Sequence, residues 1–306
     1  MHIPVLKKEV IKYLNPKANE NFIDATLGEM GHAFAILEKT GPEGKILGIE
    51  TDIELYQKLK QRIAKIPNSK IQDRIILVND SYINLKNIVE KYNFKKVNGI
   101  LFDIGMSSWD LEESGRGFSF QRNEPLDMRY KINIQQSFRE DYQVKAEDIV
   151  NHWSKEEIEK ILREYGEEKF SKKIARAIIG QRKIKFIRNT FQLKEIIKDA
   201  VPFWYQRRKI HFATKTFQAL RIAVNDELNN LRTALPLALE ILGEQGALVV
   251  ISFHSLEDKI VKNFFREKAK ENLIRILTEK PVVPEKEEIE KNYRARSAML
   301  RCANKI

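Results

Sequence analysis

Four places in this chain set residues capable of chemistry at the end of a short apolar run. Gly28-Glu29-Met30-Gly31 follows the first run, Glu50 ends the second, Asp103 ends another, and His254 follows a late one. Glycines let a backbone approach a ligand at a helix N-terminus. A carboxylate about twenty residues further on, as Glu50 is, can accept both hydroxyls of a ribose. A turn glycine or a solvated acid is common for structural reasons alone, but two apolar runs that each finish on a suitable group point to a nucleotide-like ligand. The glycines fall short of a full G-x-G-x-x-G, so a diphosphate has no fingerprint here. That favours S-adenosylmethionine, which has no diphosphate, over NAD.

The elements that would hold these groups alternate. Residues 22–26, 45–50, 74–78 and 99–103 read as strands. Residues 32–39, the series Ile53, Leu55, Leu59, Ile63, and the series Tyr82, Leu85, Ile88, Val89 read as helices between and after them. Such alternation predicts a parallel sheet covered on both faces, with ligands outside the carboxyl ends of its strands. After Gly105 the rhythm breaks. Residues 109–130 are rich in Gly, Ser, Asn and charge and read as an irregular loop; helices alone follow. Ser154 and Glu157 form a capping box, and Gly166 ends that helix. A second helix is expected over 169–181 with Ile174, Ala177 and Ile178 on one face, and a third from near Thr190 to near Pro202. The pattern resumes with a long helix over 216–242, a strand at 247–252, a helix from Ser255, a charged loop at 281–291 and a last strand at 297–303. The reading is an α/β domain, 1–108 with 213–306, split by an inserted helical domain, 109–212.

The formal charge of +11 over 306 residues favours a polyanionic partner. The cations cluster in 169–188, at Arg207, Arg208 and Lys209, and at Arg294, Arg296 and Arg301. Lys169, Lys172, Lys173 and Arg176 follow helical spacing and share one face, suited to phosphate or simply to solvent, with Glu167 and Glu168 as nearby acids. No run approaches the ~18 apolar residues of a membrane span, and the N-terminus has no signal-peptide h-region. Cys302 is the single cysteine, which excludes an internal disulfide. His2, His152 and His211 lack ligand spacing, so no metal is expected. These features predict a soluble cytoplasmic protein.

Longer motifs connect these features. They are His2-Ile3-Pro4-Val5-Leu6, Asp24-Ala25-Thr26-Leu27-Gly28 leading into Gly31-His32, and Asp103-Ile104-Gly105-Met106-Ser107-Ser108. Then come Arg116-Gly117-Phe118-Ser119-Phe120, Pro125-Leu126-Asp127-Met128-Arg129 and Tyr165-Gly166-Glu167-Glu168. The last are Thr216-Phe217-Gln218-Ala219-Leu220-Arg221, Ser252-Phe253-His254-Ser255-Leu256-Glu257-Asp258 and Arg294-Ala295-Arg296-Ser297. In this order, and over nearly the whole chain, they resemble the bacterial small-subunit ribosomal RNA methyltransferase H family. The resemblance implies a class I (Rossmann-like) methyltransferase domain with an inserted helical domain that recognises RNA. It implies S-adenosylmethionine as cofactor and methylation of the N4 exocyclic amine of a cytidine in the decoding region of 16S ribosomal RNA, within the small subunit. A homodimer is left open. Cofactor contacts would come from Met30, Gly31, His32, Glu50, Tyr82, Asp103 and Asp110. Three of these depart from the family pattern: Gly is usual in place of Met30, Asp in place of Glu50, and an amide or imidazole in place of Asp110. Met30 is then expected to point away from the cofactor in a turn that avoids a positive φ.

Methylating a cytosine amine requires help, because the amine donates its lone pair into the ring. Acceptors for its N–H groups would localise that pair, and a base must take a proton. Asp103 is able to accept from the amine or to contact the methionine part of the cofactor, and the resemblance favours the latter. The Pro-Pro-aromatic run that DNA amino-methyltransferases carry at this strand end is absent after Asp103. His254 is a candidate base or a packed histidine. Phe118 and Phe120 suit either a flipped base or a core, and Asp127 with Arg129 either RNA or a structural ion pair. Competing functions are a non-catalytic ribosome-assembly factor that keeps the cofactor fold, and an NAD-dependent reductase.

Overall fold

The computed structural model describes residues 3–131 and 143–306; His2 of the first motif lies outside them. The chain divides into two compact units, 1–107 with 228–306, and 108–227.

The first unit is built on a seven-stranded sheet: β1 (Asn21–Asp24), β2 (Ile46–Glu50), β3 (Ile75–Asn79), β4 (Val97–Asp103), β5 (Leu242–Ser252), β6 (Ile274–Ile276) and β7 (Met299–Lys305). Their spatial order is β3-β2-β1-β4-β5-β7-β6. All neighbours pair in parallel except β7, which runs antiparallel to both β5 and β6. The central strands are near-continuous Val, Ile, Leu and Phe because both faces are covered. Helices α1 (Lys7–Leu14), α2 (Gly31–Lys39), α3 (Ile53–Ala64), α4 (Ser69–Gln72) and α5 (Leu85–Lys91) precede or join the first four strands. The core on one face gathers Ile23, Leu47, Ile100, Phe102, Val250, Leu235 and Phe265, all essentially sealed from solvent. The chain builds outward from β1 in one direction, then returns to place β4 and β5 on the other side. The switch point therefore falls between β1 and β4, where open α/β sheets bind ligands. This is the α/β class expected from the alternation, in the Rossmann-like form that the resemblance implies.

The second unit is helical: α6 (Ala146–His152), α7 (Lys155–Glu164), α8 (Ser171–Ile184), α9 (Thr190–Ala200), α10 (Phe203–Gln206) and α11 (Thr214–Asn225). The Ser154–Glu157 capping box is formed in both directions at the start of α7. Ile158, Leu162, Ile174, Ile178, Leu193 and Leu220 make its core. The unit runs on through Glu227, since α11 packs against α6 and α7.

Four local readings are corrected. The long helix expected over 216–242 is two helices, α11 and α12 (Glu227–Ile241). Asp226 between them adopts φ 49°, a left-handed conformation that Asp and Asn tolerate best among residues with a Cβ. Arg221 clamps the break with two bonds to Glu227, at 2.8 and 2.9 Å in a buried setting. The loop 109–130 contains a single π turn, Trp109–Glu113. The charged stretch 281–291 ends in a short helix that follows α13 (Ser255–Lys270), namely α14 (Lys286–Lys291), and β6 was too short and too polar at Arg275 to stand out. Helix α8 starts at Ser171, so Lys169 lies outside it, and its buried alanine is Ala175 rather than Ala177.

Candidate functional site

The switch point brings two strand-end acids together. Asp24 ends β1 and Asp103 ends β4, adjacent strands in register at Asp24–Leu101. The Asp24 carboxylate accepts from Thr26 N–H at 3.2 Å, and the Thr26 hydroxyl oxygen accepts from Asp103 N–H at 2.6 Å. His32, in the first turn of α2, brings Nε2 to 3.5 Å from Asp103 Oδ2. His32 is 6% exposed, yet neither ring nitrogen has a hydrogen-bond partner among the described residues, and nor does Asp103 Oδ1. Asp24 is sealed at 1% exposure. Burial pushes its carboxyl up to about 6, against the pull of His32 and the Thr26 N–H, with Asp103 adding to the rise. Buried polar atoms without hydrogen-bond partners are uncommon in native proteins, and a water, an ion or a ligand can supply the missing bond.

The turn after β1 approaches from above. Gly28 adopts φ +50°, a conformation natural to glycine. Met30 does so as well, at φ 67° and ψ 17°, overturning the expectation that its turn avoids a positive φ. Its side chain is fully buried, and burying a methionine offsets the cost of left-handed backbone, about 1–2 kcal/mol. The Glu50 carboxylate ends β2 and spans this turn and the next. Its two oxygens accept from Gly28 N–H at 3.2 Å and Asp52 N–H at 2.8 Å. Asp52 in turn caps α3 through the N–H groups of Glu54 and Leu55. Tyr82, just past β3, sets its ring edge-on to Phe102 at 5.7 Å.

Past β4, a Cβ on Gly105 would meet the Phe253 ring at 2.5 Å, so only glycine lets the two strand ends come this close. His254 is the residue before α13. Its Nε2 lies 3.0 Å from Glu257 Oε1, out of line for a hydrogen bond, while Glu257 Oε2 accepts from Phe253 N–H at 2.8 Å. Asp258 holds Arg301 of β7 bidentately at 2.6 and 3.0 Å. Arg301 is 5% exposed and is therefore removed from the expected basic group, while Arg294 and Arg296 stay partly exposed.

In the second unit, Asp110 is buried in the π turn. Phe118 is buried and stacked on Tyr130 at 5.1 Å. Phe120 is half-buried, stacked on His211 at 4.4 Å and edge-on to Phe217. Asp127 and Arg129 pair bidentately at 2.6 and 2.8 Å. Lys172, Lys173 and Arg176 are exposed on α8, opposite its buried Ile174, Ala175 and Ile178. Arg182 is partly committed, donating to the carbonyls of Val150 and Trp153.

The model of the MraW methylase family matches residues 1–306, the whole chain. The chain belongs to the MraW methylase family. It is 42% identical to the ribosomal RNA small subunit methyltransferase H of Halothermothrix orenii over all of this chain and 98% of that one. It is 45% identical to the protein of the same name from Dictyoglomus thermophilum, over 98% and 95% of the two chains. A solved rRNA methylase from Streptococcus thermophilus aligns over 98% of this chain and 93% of its own at 9% identity, with a TM-score of 0.43.

Within this family member, sequence reasoning assigned no role to Asp24 or Thr26, which tie β1 to Asp103. The signal to find them by was an acid closing an otherwise apolar run, Phe22-Ile23-Asp24. It also missed the Glu168–Tyr205 bond, which joins residues far apart in the chain.

Proposed function

We propose that this chain is an S-adenosylmethionine-dependent methyltransferase that modifies the N4 amine of a cytidine in 16S ribosomal RNA, acting in the cytoplasm on the small ribosomal subunit. The observation that carries the reading is the set of buried polar atoms at the switch point that make no hydrogen bond among the described residues, His32 Nδ1 and Nε2 with Asp103 Oδ1, in a member of a methylase family. The residues present fit this cofactor. Carboxylates suit its cationic centres, and a glycine turn admits it to the backbone. A carboxylate such as Glu50 has about four acceptor sites, enough to serve backbone N–H groups and ribose hydroxyls together. Met30, Gly31 and His32 would hold the cofactor from the turn, Tyr82 would cover it, and Asp103 would accept from it. When bound, S-adenosylmethionine supplies a methyl group carried on a sulfonium sulfur.

This chain's own residues do the rest. His254 would take the proton that leaves the cytosine amine, and Glu257, 3.0 Å from its Nε2, would stabilise the resulting imidazolium. The second unit recognises RNA, with Lys172, Lys173 and Arg176 on phosphates and the partly exposed Phe120 near the extracted base. Small-subunit particles should be better substrates than a short cytidine-containing fragment, because a basic face of this size gains from several phosphates at once. Equal specific activity on both would remove the particle from the proposal.

A further inference from the structure

The second unit carries an aromatic and cationic surface that the basic face of α8 does not explain. Helix α10 is one turn long and starts after Pro202. Its Tyr205 points inward, and the hydroxyl donates to the buried Glu168 carboxylate, 3.0 and 2.9 Å from its two oxygens. The same carboxylate accepts from Phe170 N–H at 2.8 Å. With Tyr205 anchored, its neighbours Phe203 and Trp204 are left 63% and 54% exposed. Cations flank both rings. The Arg207 guanidinium lies 4.2 Å from the Phe203 centroid and Lys169 Nζ lies 5.5 Å from that of Trp204. Arg208 sits 5.1 Å from the Tyr205 ring.

Two large aromatics side by side in solvent, each under a cation, are a poor solubility device and a good recognition surface. An apolar partner would desolvate the three cations without pairing them. An acidic peptide would pair them and leave the ring faces unused. An unpaired stretch of RNA uses both, since its phosphates neutralise the cations and every base has a face to stack. A duplex keeps those faces inside its own stack. We propose that Phe203 and Trp204, with Lys169, Arg207 and Arg208, form a stacking platform for an unpaired segment of the RNA substrate. The proposal rests on the RNA-methyltransferase reading above and names the state of RNA that this face takes.

The test titrates the full chain with an unstructured, mixed-sequence RNA of about 12 nucleotides, within the usual span of such sites, and with a blunt hairpin of equal charge. The variants are Phe203→Ser/Trp204→Ser and, as the conservative control, Trp204→Phe. Both altered positions are exposed, so the thermal midpoint should not move. The double variant should bind the single strand about tenfold more weakly, in line with the loss of base stacking. Its salt slope, hairpin affinity and S-adenosylmethionine affinity should stay at wild-type values, and Trp204→Phe should retain most of the binding. Undiminished single-strand affinity in the double variant overturns the platform. So does an equal loss for single strand and hairpin, or a switch from dimer to monomer in sedimentation with RNA affinity intact, which would make this face a contact between copies. A wild-type chain that binds neither RNA overturns the functional reading and the platform together. A wild type that binds with a double variant that matches it overturns the platform alone.

Discussion

The two units carry their polar chemistry in opposite ways. At the switch point of the first, a few polar groups are buried or half-buried at the ends of elements: Asp24 and Asp103 at the ends of adjacent strands, His32 at a helix start, Glu50 across two turns. On α8 of the second, the cations are exposed in a row, opposite a buried face of ordinary aliphatic core. A small cationic ligand is recognised by a few pre-set groups in a dry pocket, where each counts heavily. A polyanion is recognised by many exposed cations, each worth little and all weakened by salt. Changes in the first unit should therefore be sharp and indifferent to salt, and changes in the second graded and salt-dependent.

The largest expected effect comes from Asp103→Ala. A lost charge-assisted bond is worth about 1.5 to 3 kcal/mol, so calorimetric affinity for S-adenosylmethionine should fall roughly tenfold to a hundredfold at both low and high salt. An unchanged affinity takes Asp103 out of the site. Replacing Lys172, Lys173 and Arg176 together by Gln should leave that affinity alone and weaken RNA binding. For every phosphate the variant no longer neutralises, the log-affinity against log-salt slope should flatten by about 0.7 to 0.9. A wild-type slope would show that this face of α8 does not touch RNA.

Smaller effects sharpen the description of the buried cluster. Asp24 is raised by burial to about 6, above its ordinary 3.8. The folded state therefore binds the proton more tightly than the unfolded one, and stability falls as pH rises from about 4 to about 6, then levels off. The full span corresponds to about 3 kcal/mol as an order of magnitude. Urea unfolding of Asp24→Asn should lack that descent; a descent that persists assigns it to another group. Glu50→Ala should cost roughly 1 to 3 kcal/mol in cofactor binding, while Glu50→Asp keeps the charge and should cost less. Least of all, Cys302, buried in β7 with its thiol pushed up to about 12, should resist thiol reagents until the chain unfolds.

The sheet was legible because its strands are apolar runs ending in punctuating groups, and the Ser154–Glu157 box because capping is local. What escaped was set by contacts distant in sequence. No propensity announces the break at Asp226, which Arg221, Glu227 and the Asn225 bond to the Met128 carbonyl impose together. Met30 adopts a left-handed turn that glycine would take freely, because the surrounding core accepts its side chain. Arg301 and Arg182 counted as surface charge in the sequence, and ion pairing and carbonyl bonds withdrew them. Acids closing apolar runs were readable as a candidate site, whereas the Thr26 bridge between Asp24 and Asp103 needed the register of β1 against β4.

The most direct test incubates small ribosomal subunits from cells lacking this protein with the purified chain and S-adenosylmethionine, then maps modified nucleosides in the 16S rRNA by mass. The wild type should N4-methylate one cytidine, Asp103→Ala should lose that mark, and the α8 triple variant should react slowly and with greater sensitivity to salt. Methylation at another kind of nucleoside, or an unmodified RNA with the wild-type chain, would contradict the proposed function.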